Sequence, residues 1–343
     1  MFERQLCRRS RIPGGGFGRG AEPPSECASA RSFVTRLAAI DLGTNTIRLL
    51  VVDVAEDRSW IPVAQAQVLA RLGEGFRASG RLSEAAIERA LAAVVGFSAD
   101  ARTLGAERVF VVGTSAVREA ANGPAFRERL RQLTGLEIRV VPGEEEGRLT
   151  LLGVLAGLPS VSGSLLLVDI GGGSTEFILA RDRRLIRARS LTLGVVPLAE
   201  RYRTAEPVDR RGYAELEREI HTRLARELGE LLAAERPDHL VGTAGTITTL
   251  AALDQALPAY DAQKVHGYCL WRSRIEELLK TLGALPAAAR AALPCLEPGR
   301  ADLIIPGIAI CLATMDAFGF SSLLVSEYGL REGILIDYLA SGR

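Results

Sequence analysis

The sequence has few cysteines and few histidines, and this limits the kinds of site it can build. Its five cysteines are scattered and none forms a Cys-x-x-Cys pair, which argues against a disulfide framework and against a thiolate zinc site. The three histidines lie far apart, which argues against a metal held by imidazole groups. Any metal must therefore be held by oxygen ligands, and a reducing cytoplasm is the compartment that we expect.

The chain also lacks a long apolar run and an excess of charge of either sign. Its 343 residues are 48% hydrophobic, and 42 Lys and Arg residues nearly balance 41 Asp and Glu residues. No stretch approaches the ~20 apolar residues that span a bilayer. No chain-wide basic excess, typical of a nucleic-acid-binding protein, is present either. We therefore expect a soluble globular protein of about two domains that binds neither membranes nor nucleic acid, with any anion site formed locally.

Residues 1–33 differ in composition from the rest of the chain. They contain several arginines, a glycine-rich stretch and a Pro-Pro pair, but no apolar run of the length that a secretory signal needs. A segment with so little apolar surface predicts a disordered tail.

After this tail, strand-like and helix-like patterns alternate, which predicts an α/β protein with mixed sheets. The patterns predict strands at 36–41, 46–53, 60–69, 108–113, 136–141, 164–170, 175–181, 184–192, 239–242 and 322–326. They predict helices at 83–104, 123–133, 144–157, 210–234, 244–256, 271–283, 300–317 and 329–340.

One pattern occurs twice. Residues 37–46 and 165–175 each run as an apolar strand, an Asp, an apolar residue, a Gly, a small polar turn and the start of a second strand. The two aspartates, Asp41 and Asp169, lie 128 positions apart. The repetition predicts two lobes built on one plan.

The residues of these two turns suit the binding of phosphate. Glycine lets the backbone approach a ligand and present its N–H groups, and hydroxyl and amide side chains add further donors. The candidate phosphate-binding residues are Gly43, Thr44, Asn45, Thr46, Gly171, Gly172, Gly173, Ser174 and Thr175. An Asp can lie near phosphate oxygens only if a cation lies between them, so the pattern predicts a Mg²⁺–phosphate site with Asp41 and Asp169 on opposite walls. Such residues are also ordinary turn formers, but the two matched copies favour the functional interpretation.

The Asp-Leu-Gly-Thr-Asn-Thr and Asp-Ile-Gly-Gly-Gly-Ser-Thr-Glu turns resemble the two phosphate loops of the superfamily of actin, the sugar kinases and the 70-kDa heat-shock ATPases. More narrowly, the chain resembles the exopolyphosphatase/guanosine pentaphosphate phosphohydrolase family. The narrower resemblance includes residues 111–120, 142–149, 241–246, 300–307 and 328–334, which occur in order and span almost everything after the tail.

The resemblance implies an α/β, two-lobed actin-like (ribonuclease H-like) fold with mixed sheets and a cleft between the lobes. We expect one lobe at 34–143, joined by a C-terminal helix at 329–343, and a second lobe at 144–328. The family resemblance also suggests a homodimer.

The resemblance further places Glu146 and Arg118 in the site, and the position of Glu176 after the second glycine turn makes it a third candidate. Glu146, before a small residue and an Arg, corresponds to the glutamate that orients and deprotonates the attacking water. Arg118 corresponds to a cleft arginine that binds phosphate and stabilises the developing charge, and Glu176 is a candidate Mg²⁺ ligand together with Asp41 and Asp169. Each has a structural alternative: Glu146 as an ordinary first-turn carboxylate, Arg118 as a surface arginine and Glu176 as a side chain that points out of the hairpin.

The expected function is therefore removal of terminal orthophosphate from inorganic polyphosphate with the help of Mg²⁺. Within the family, the alternative is hydrolysis of guanosine pentaphosphate (pppGpp). Two further classes share the same turns: an ATP-dependent small-molecule kinase and a non-catalytic alarmone sensor. The segments 300–302 and 331–332 belong to the resemblance, but their charges could form interlobe ion pairs, and we assign them no catalytic role.

Overall fold

The computed structural model describes residues 33–204, 206–232 and 236–341, so all but the last residue of the predicted tail lies outside the described residues. The described chain forms two mixed β-sheets with helices on their faces.

The first sheet has five strands in the order β3-β2-β1-β4-β5. They are β1 (Phe33–Leu42), β2 (Thr46–Ala55), β3 (Trp60–Leu69), β4 (Arg108–Gly113) and β5 (Ile138–Val140). The first three strands are antiparallel neighbours, whereas β4 and β5 run parallel to β1. Most of β2 is buried on both faces, which explains its nearly continuous apolar sequence.

The second sheet has six strands in the order β8-β7-β6-β9-β11-β10. They are β6 (Ser164–Ile170), β7 (Thr175–Arg181), β8 (Arg184–Leu191), β9 (His239–Thr243), β10 (Cys269–Trp271) and β11 (Ser322–Val325). The first three are again antiparallel neighbours, and β9 and β11 run parallel to β6. The two sheets thus share one plan, as the repeated pattern predicts, and β10 is an extra antiparallel edge strand.

The helices are α1 (Phe76–Ser79), α2 (Glu84–Thr103), α3 (Ser115–Glu119), α4 (Gly123–Thr134), α5 (Gly143–Gly157), α6 (Val195–Tyr202), α7 (Arg210–Glu227), α8 (Gly229–Leu232), α9 (Ala244–Asp254), α10 (Ala262–Val265), α11 (Arg272–Gly283), α12 (Ala287–Arg290), α13 (Ile304–Phe318) and α14 (Leu330–Ala340). Local caps explain where two long helices begin. Ser83 accepts a hydrogen bond from the backbone of Ala86 at the start of α2, and Asp209 accepts one from Gly212 at the start of α7. None of the helices in the described ranges is long and apolar enough to cross a bilayer.

Three parts of the secondary-structure prediction were wrong. The helix predicted at 210–234 is interrupted after Glu227, and the short α8 begins at Gly229. The helix predicted at 300–317 begins only at Ile304, because a 3₁₀ turn at Pro298–Arg300 precedes it. Several elements of three to eight residues were missed, namely α1, α3, α6, α10, α12 and β10, since segments this short carry little periodic signal.

Two helices connect the lobes. Helix α14 packs on β1 and β2 of the first sheet and also on α5, which in turn packs on β7 and β8 of the second sheet. A Cβ atom at Gly153 would lie 2.0 Å from the carbonyl oxygen of Gly329, and one at Gly333 would lie 1.8 Å from that of Leu149. Glycine therefore lets α5 approach α14 closely. The domain limits given above remain a prediction.

Candidate active site

The two repeated turns face each other between the sheets. Turn 1 (residues 43–46) connects β1 to β2, and turn 2 (residues 171–174) connects β6 to β7. A Cβ atom at Gly172 would lie 3.0 Å from the backbone nitrogen of Asn45 and 3.0 Å from the Cβ atom of Thr44. The turns are therefore in contact, and the glycines of turn 2 make room for the side chains of turn 1.

Turn 1 directs its carbonyl groups away from the pocket. The carbonyl oxygen of Thr44 accepts a hydrogen bond from the N–H of Gly73 at 2.8 Å, and that of Asn45 accepts one from Arg71 at 2.9 Å. The N–H groups of Thr44 and Asn45 have no hydrogen-bond acceptor among the described residues. Since unpaired N–H groups need an acceptor, they are available to an anion.

Turn 2 repeats this arrangement with different partners. The carbonyl oxygens of Gly171 and Gly172 accept hydrogen bonds from Val195 at 3.1 Å and Val196 at 2.9 Å, both at the start of α6. Within the described ranges, the N–H groups of Gly172 and Gly173 likewise find no acceptor. Both turns thus present backbone donors to the same space.

Most of the predicted site residues line one pocket at this point. Among the described residues, they are Asp41, Gly43, Thr44, Asn45, Thr46, Glu146, Asp169, Gly171, Gly172, Gly173, Ser174 and Glu176. Two predicted residues do not line it. Thr175 is fully buried and its hydroxyl donates a hydrogen bond to the carbonyl oxygen of Leu193, so it fixes the start of α6 instead of facing a ligand.

Arg118 is the other residue that lies behind the pocket wall. One nitrogen of its guanidinium, Nη1, donates to the Oε2 atom of Glu146 at 2.9 Å and to the carbonyl oxygen of Val141 at 2.9 Å. In this structure Arg118 therefore holds Glu146, whereas we expected it to face phosphate directly.

Glu146 lies in the first turn of α5 and is only 7% exposed. Burial and the nearby Glu176 raise its pKa well above the usual range of a glutamate, while the hydrogen bond from Arg118 opposes this shift. A carboxylate with a raised pKa is a stronger base, so Glu146 has the environment of a general base as well as the position of a helix-start residue.

The two aspartates and Glu176 are also buried in the pocket wall. Burial raises the pKa of Asp41 to about 6, against the opposing effect of Arg48, and raises that of Asp169 to about 6 in the same way. Burial and the charge of Asp169 raise the pKa of Glu176 to about 8. Glu176 lines the pocket with the two aspartates, and burial without enough positive charge nearby leaves the three carboxylates poorly neutralised by the protein alone.

The oxygen atoms of this wall fit a divalent cation. The Oδ1 atom of Asp41 and the Oδ1 atom of Asn45 are buried without a hydrogen-bond partner among the described residues. No group of three or more His, Cys, Asp or Glu side chains in the described ranges is arranged to enclose a metal ion. Mg²⁺ commonly takes one or two carboxylates and completes its coordination with water and substrate phosphates, so an incomplete set of protein ligands is compatible with this ion.

Sequence reasoning missed several charged residues of the pocket. Arg48, Arg300, Arg331, Glu327 and Glu332 all line it, although the charges at 300 and at 331–332 were assigned no catalytic role. Arg48 could have been found, because it follows Asp41 by seven positions as Glu176 follows Asp169. Its guanidinium makes no hydrogen bond or ion pair with any described residue and is therefore available to an anion.

The interlobe interpretation holds for Asp302, which pairs with Arg71 of the first lobe. Arg300 also reaches the first lobe, since its Nη2 atom donates to the side chain of Gln67 at 3.3 Å, but the same guanidinium is buried in the pocket. Burial and the charge of Arg48 lower the pKa of Arg300 to about 10. The Nε atom of Arg300 lies 2.7 Å from the carboxylate of Glu297, so Arg300 is paired, whereas the guanidinium of Arg48 has no such partner among the described residues and is the group that favours an anion.

Comparison with known proteins agrees with this geometry. The model of the Ppx/GppA phosphatase family matches residues 50–341. Exopolyphosphatase 2 of Mycobacterium tuberculosis is 34% identical over 317 residues, which cover 89% of this chain and 98% of the relative. Exopolyphosphatase 1 of the same organism is 31% identical over 306 residues, with 89% of each chain covered.

Solved structures of Ppx/GppA proteins also match this chain over most of its length. The crystal structure of the Aquifex aeolicus member of the Ppx/GppA family is 32% identical, with a TM-score of 0.76 over 90% of this chain and 99% of the other. That of an exopolyphosphatase from Cytophaga hutchinsonii is 28% identical, with a TM-score of 0.82 over 90% and 98%. The predicted two-lobed α/β fold with mixed sheets is confirmed, and the chain belongs to the Ppx/GppA phosphatase family.

Proposed function

We propose that this member of the Ppx/GppA family is an exopolyphosphatase, which hydrolyses the terminal phosphoanhydride bond of inorganic polyphosphate and releases orthophosphate. The relatives that match it over nearly their whole length carry that name. The observation that carries the proposal is the position of Glu146, a buried carboxylate held by Arg118 on the wall that also contains both donor turns.

The residues of the site can divide the reaction between them. The N–H groups of turn 1 and turn 2 would hold the oxygens of the terminal phosphoryl groups in a fixed orientation. Glu146 would accept a proton from a water molecule placed in line with the terminal phosphorus. Arg118 would keep the Glu146 carboxylate directed at that water, and Arg48 would bind phosphate oxygens on the side of turn 1.

The excess of carboxylates over guanidinium groups in the pocket is the reason why we include a bound cation in the proposed mechanism. The described part of the wall contains six carboxylates, from Asp41, Glu146, Asp169, Glu176, Glu327 and Glu332, against three guanidinium groups, from Arg48, Arg300 and Arg331. When its carboxylates are ionised, such a wall repels a polyanion unless positive charge is added. We propose that Asp41 and Asp169 hold Mg²⁺, with Glu176 contributing directly or through water. When bound, the ion would neutralise phosphate oxygens and polarise the phosphorus.

Attack at the end of the chain follows from the contact between the turns. Gly172 and Gly173 pack against Thr44, Asn45 and Ser115, so the two turns are in contact on one side of the pocket, and we propose that a polyphosphate chain cannot pass between them. A terminal phosphoryl group can enter such a pocket, whereas cleavage inside a chain needs a groove that is open at both ends. The enzyme should therefore release orthophosphate from the first turnovers.

The decisive experiment compares polyphosphate of uniform length with pppGpp at early times, with and without Mg²⁺. We expect orthophosphate from polyphosphate, no intermediate-length fragments and no activity in excess chelator. Faster release from pppGpp would favour the alternative function within the family, and a ladder of fragments would contradict the end-on geometry. Product formation that depends on ATP and an acceptor would indicate a kinase, and binding without turnover would indicate a sensor.

We further propose that the protein is a homodimer and that it works in the cytoplasm. Cys269, Cys295 and Cys311 are all unpaired within the described ranges, which is compatible with a reducing compartment. Light scattering of the purified protein at micromolar concentration would test the dimer, and fractionation of cells that express the chain would test the compartment.

A further inference from the structure

A serine outside the pocket wall contacts Glu176. Ser190 lies on β8 directly opposite Glu176 in the antiparallel β7–β8 pair. Its hydroxyl donates a hydrogen bond to the Oε1 atom of Glu176 at 2.7 Å, and the hydroxyl of Ser174 donates to the same atom at 2.8 Å. One oxygen of this carboxylate is therefore bound by two hydroxyl groups.

The second oxygen of Glu176, Oε2, differs from Oε1 in its hydrogen bonding. No hydrogen bond from the described residues reaches Oε2, although the side chain is only 1% exposed and lines the pocket. Since Oε1 is occupied by Ser174 and Ser190, Oε2 is the oxygen left to face a ligand in the pocket.

Ser190 is itself tightly held. A Cβ atom at Gly143 would lie 2.2 Å from the Cβ atom of Ser190 and 2.5 Å from its hydroxyl oxygen, so the serine packs directly on the backbone at the start of α5. Glu146 follows on the same helix within its first turn. Ser190 therefore connects the strand that carries Glu176 to the helix that carries Glu146.

We propose that Ser190 is a positioning residue, which fixes Oε1 of Glu176 so that Oε2 serves the cation and the substrate. Ser174 donates to the same oxygen but belongs to turn 2, which lines the pocket, whereas Ser190 holds Glu176 from outside the pocket. A hydrogen bond to an ionised acceptor is stronger than a neutral one, and the loss of such an outer partner typically costs about 10- to 100-fold in metal affinity or activity. The inference rests on the proposed function, since it assumes that Glu176 takes part in the reaction.

The variant Ser190→Ala removes only the hydroxyl and leaves the packing on Gly143 intact. We expect kcat for phosphate release to fall about tenfold with KM changed less than about twofold, and the Mg²⁺ concentration for half-maximal rate to rise. Binding of Mn²⁺ to the protein without substrate, measured by calorimetry, should weaken by a similar factor. The matched control is Ser98→Ala, which deletes a buried hydroxyl of α2 that has no hydrogen-bond partner among the described residues.

A double-mutant cycle with Glu176→Gln distinguishes positioning from general loosening. If Ser190 acts through Glu176, Ser190→Ala should change kcat less than about twofold in the Glu176→Gln background. An equal loss in both backgrounds, or unchanged kcat and Mn²⁺ affinity in a folded Ser190→Ala protein, would overturn the proposal. Failure of the unmodified protein to release phosphate from any substrate would instead contradict the proposed function.

Discussion

The two hairpins of the site have the same backbone plan but opposite charges. In each, the residue seven positions after the turn aspartate lies directly opposite it across the antiparallel pair. In the first lobe this residue is Arg48, opposite Asp41, and in the second it is Glu176, opposite Asp169. Equivalent positions therefore place a cation on one wall and an anion on the other.

The turns differ in a complementary way. Turn 1 carries the side chains of Thr44 and Asn45, whereas turn 2 has Gly172 and Gly173 at the equivalent positions. The bare backbone of turn 2 accommodates the side chains of turn 1. The comparison predicts a division of labour between the two walls: Arg48 on the first binds the polyanion, and Glu146 and Glu176 on the second take part in the chemistry.

The strongest test of this division of labour is the substitution of Glu146, the buried carboxylate on α5. Glu146→Gln keeps the shape of the side chain but removes the base, and we expect kcat to fall by about 10²- to 10⁴-fold. Phosphate release under saturating substrate measures this. Glu144→Gln is the control, because Glu144 is exposed on the same helix turn and pairs with Arg189. A well-folded Glu146→Gln protein with nearly normal turnover would remove Glu146 from the reaction.

The equivalent residues Arg48 and Glu176 give the most direct test of the difference between the walls. We expect Arg48→Gln to raise KM for polyphosphate about tenfold with little change in kcat, since a binding contact is lost. Glu176→Gln should lower kcat by about 10- to 100-fold with a small change in KM. Steady-state kinetics at several salt concentrations would measure both. The division of labour would be refuted if the two variants lost the same parameter.

The raised pKa values predict how pH affects stability without cations. The pKa values of Asp41 and Asp169 rise to about 6 and that of Glu176 to about 8, so the folded state binds protons more tightly than the unfolded state. The stability of the cation-free protein should therefore decrease as pH rises from about 4 to about 8, by on the order of 3 kcal/mol for each carboxylate shifted by about two units.

Thermal unfolding in chelator at several pH values would measure this decrease. Asp41→Asn should flatten the curve mainly between pH ~4 and ~6, and Glu176→Gln should flatten it up to pH ~8, because the pKa of Asp41 is about 6 and that of Glu176 is about 8. Mg²⁺ should raise Tm more at pH ~8 than at pH ~5. A Tm that increases steadily with pH in chelator would contradict the shifts.

We expect the smallest effect on activity from a substitution in the Arg71–Asp302 ion pair, which lies outside both turns. Arg71 of the first lobe pairs with Asp302 of the second, and both side chains are about one-third exposed. Asp302→Asn should lower Tm by a few degrees and change kcat less than about twofold, because such pairs contribute about 0–1 kcal/mol. The control is Glu215→Gln, which breaks an exposed pair with Arg211 within α7. A large loss of activity in Asp302→Asn would show that lobe contact limits turnover.

The sequence predicted the long elements and the two turns well, because both depend on local patterns. Ten strands and the long helices have characteristic patterns of apolar residues, and the residues of each turn are contiguous in the sequence. The repeat also contained the signal for Arg48, but its meaning depends on strand register, which pairs positions 41 and 48 across the hairpin.

Other parts of the site depend on contacts between distant segments. The bond between Arg118 and Glu146 joins two helices, and the position of Arg300 depends on a 3₁₀ turn that no periodicity indicates. Ser174 and Thr175 are neighbours where β7 begins, yet Ser174 lines the pocket and bonds Glu176, whereas the Thr175 hydroxyl donates to the carbonyl oxygen of Leu193. These features required the tertiary structure.

The packing of α14 affects the order in which the chain can fold during its synthesis. One face of the first sheet is covered by Leu330, Ile334 and Leu335 of this helix, which the ribosome makes long after β1 to β5. The second sheet, in contrast, consists of strands contained between residues 164 and 325, and its main core uses helices from the same stretch. Although the first lobe is translated first, its apolar face stays open until the second lobe is complete. The nascent chain thus exposes the apolar face of the first sheet for most of its synthesis. During that interval, chaperone binding competes with aggregation.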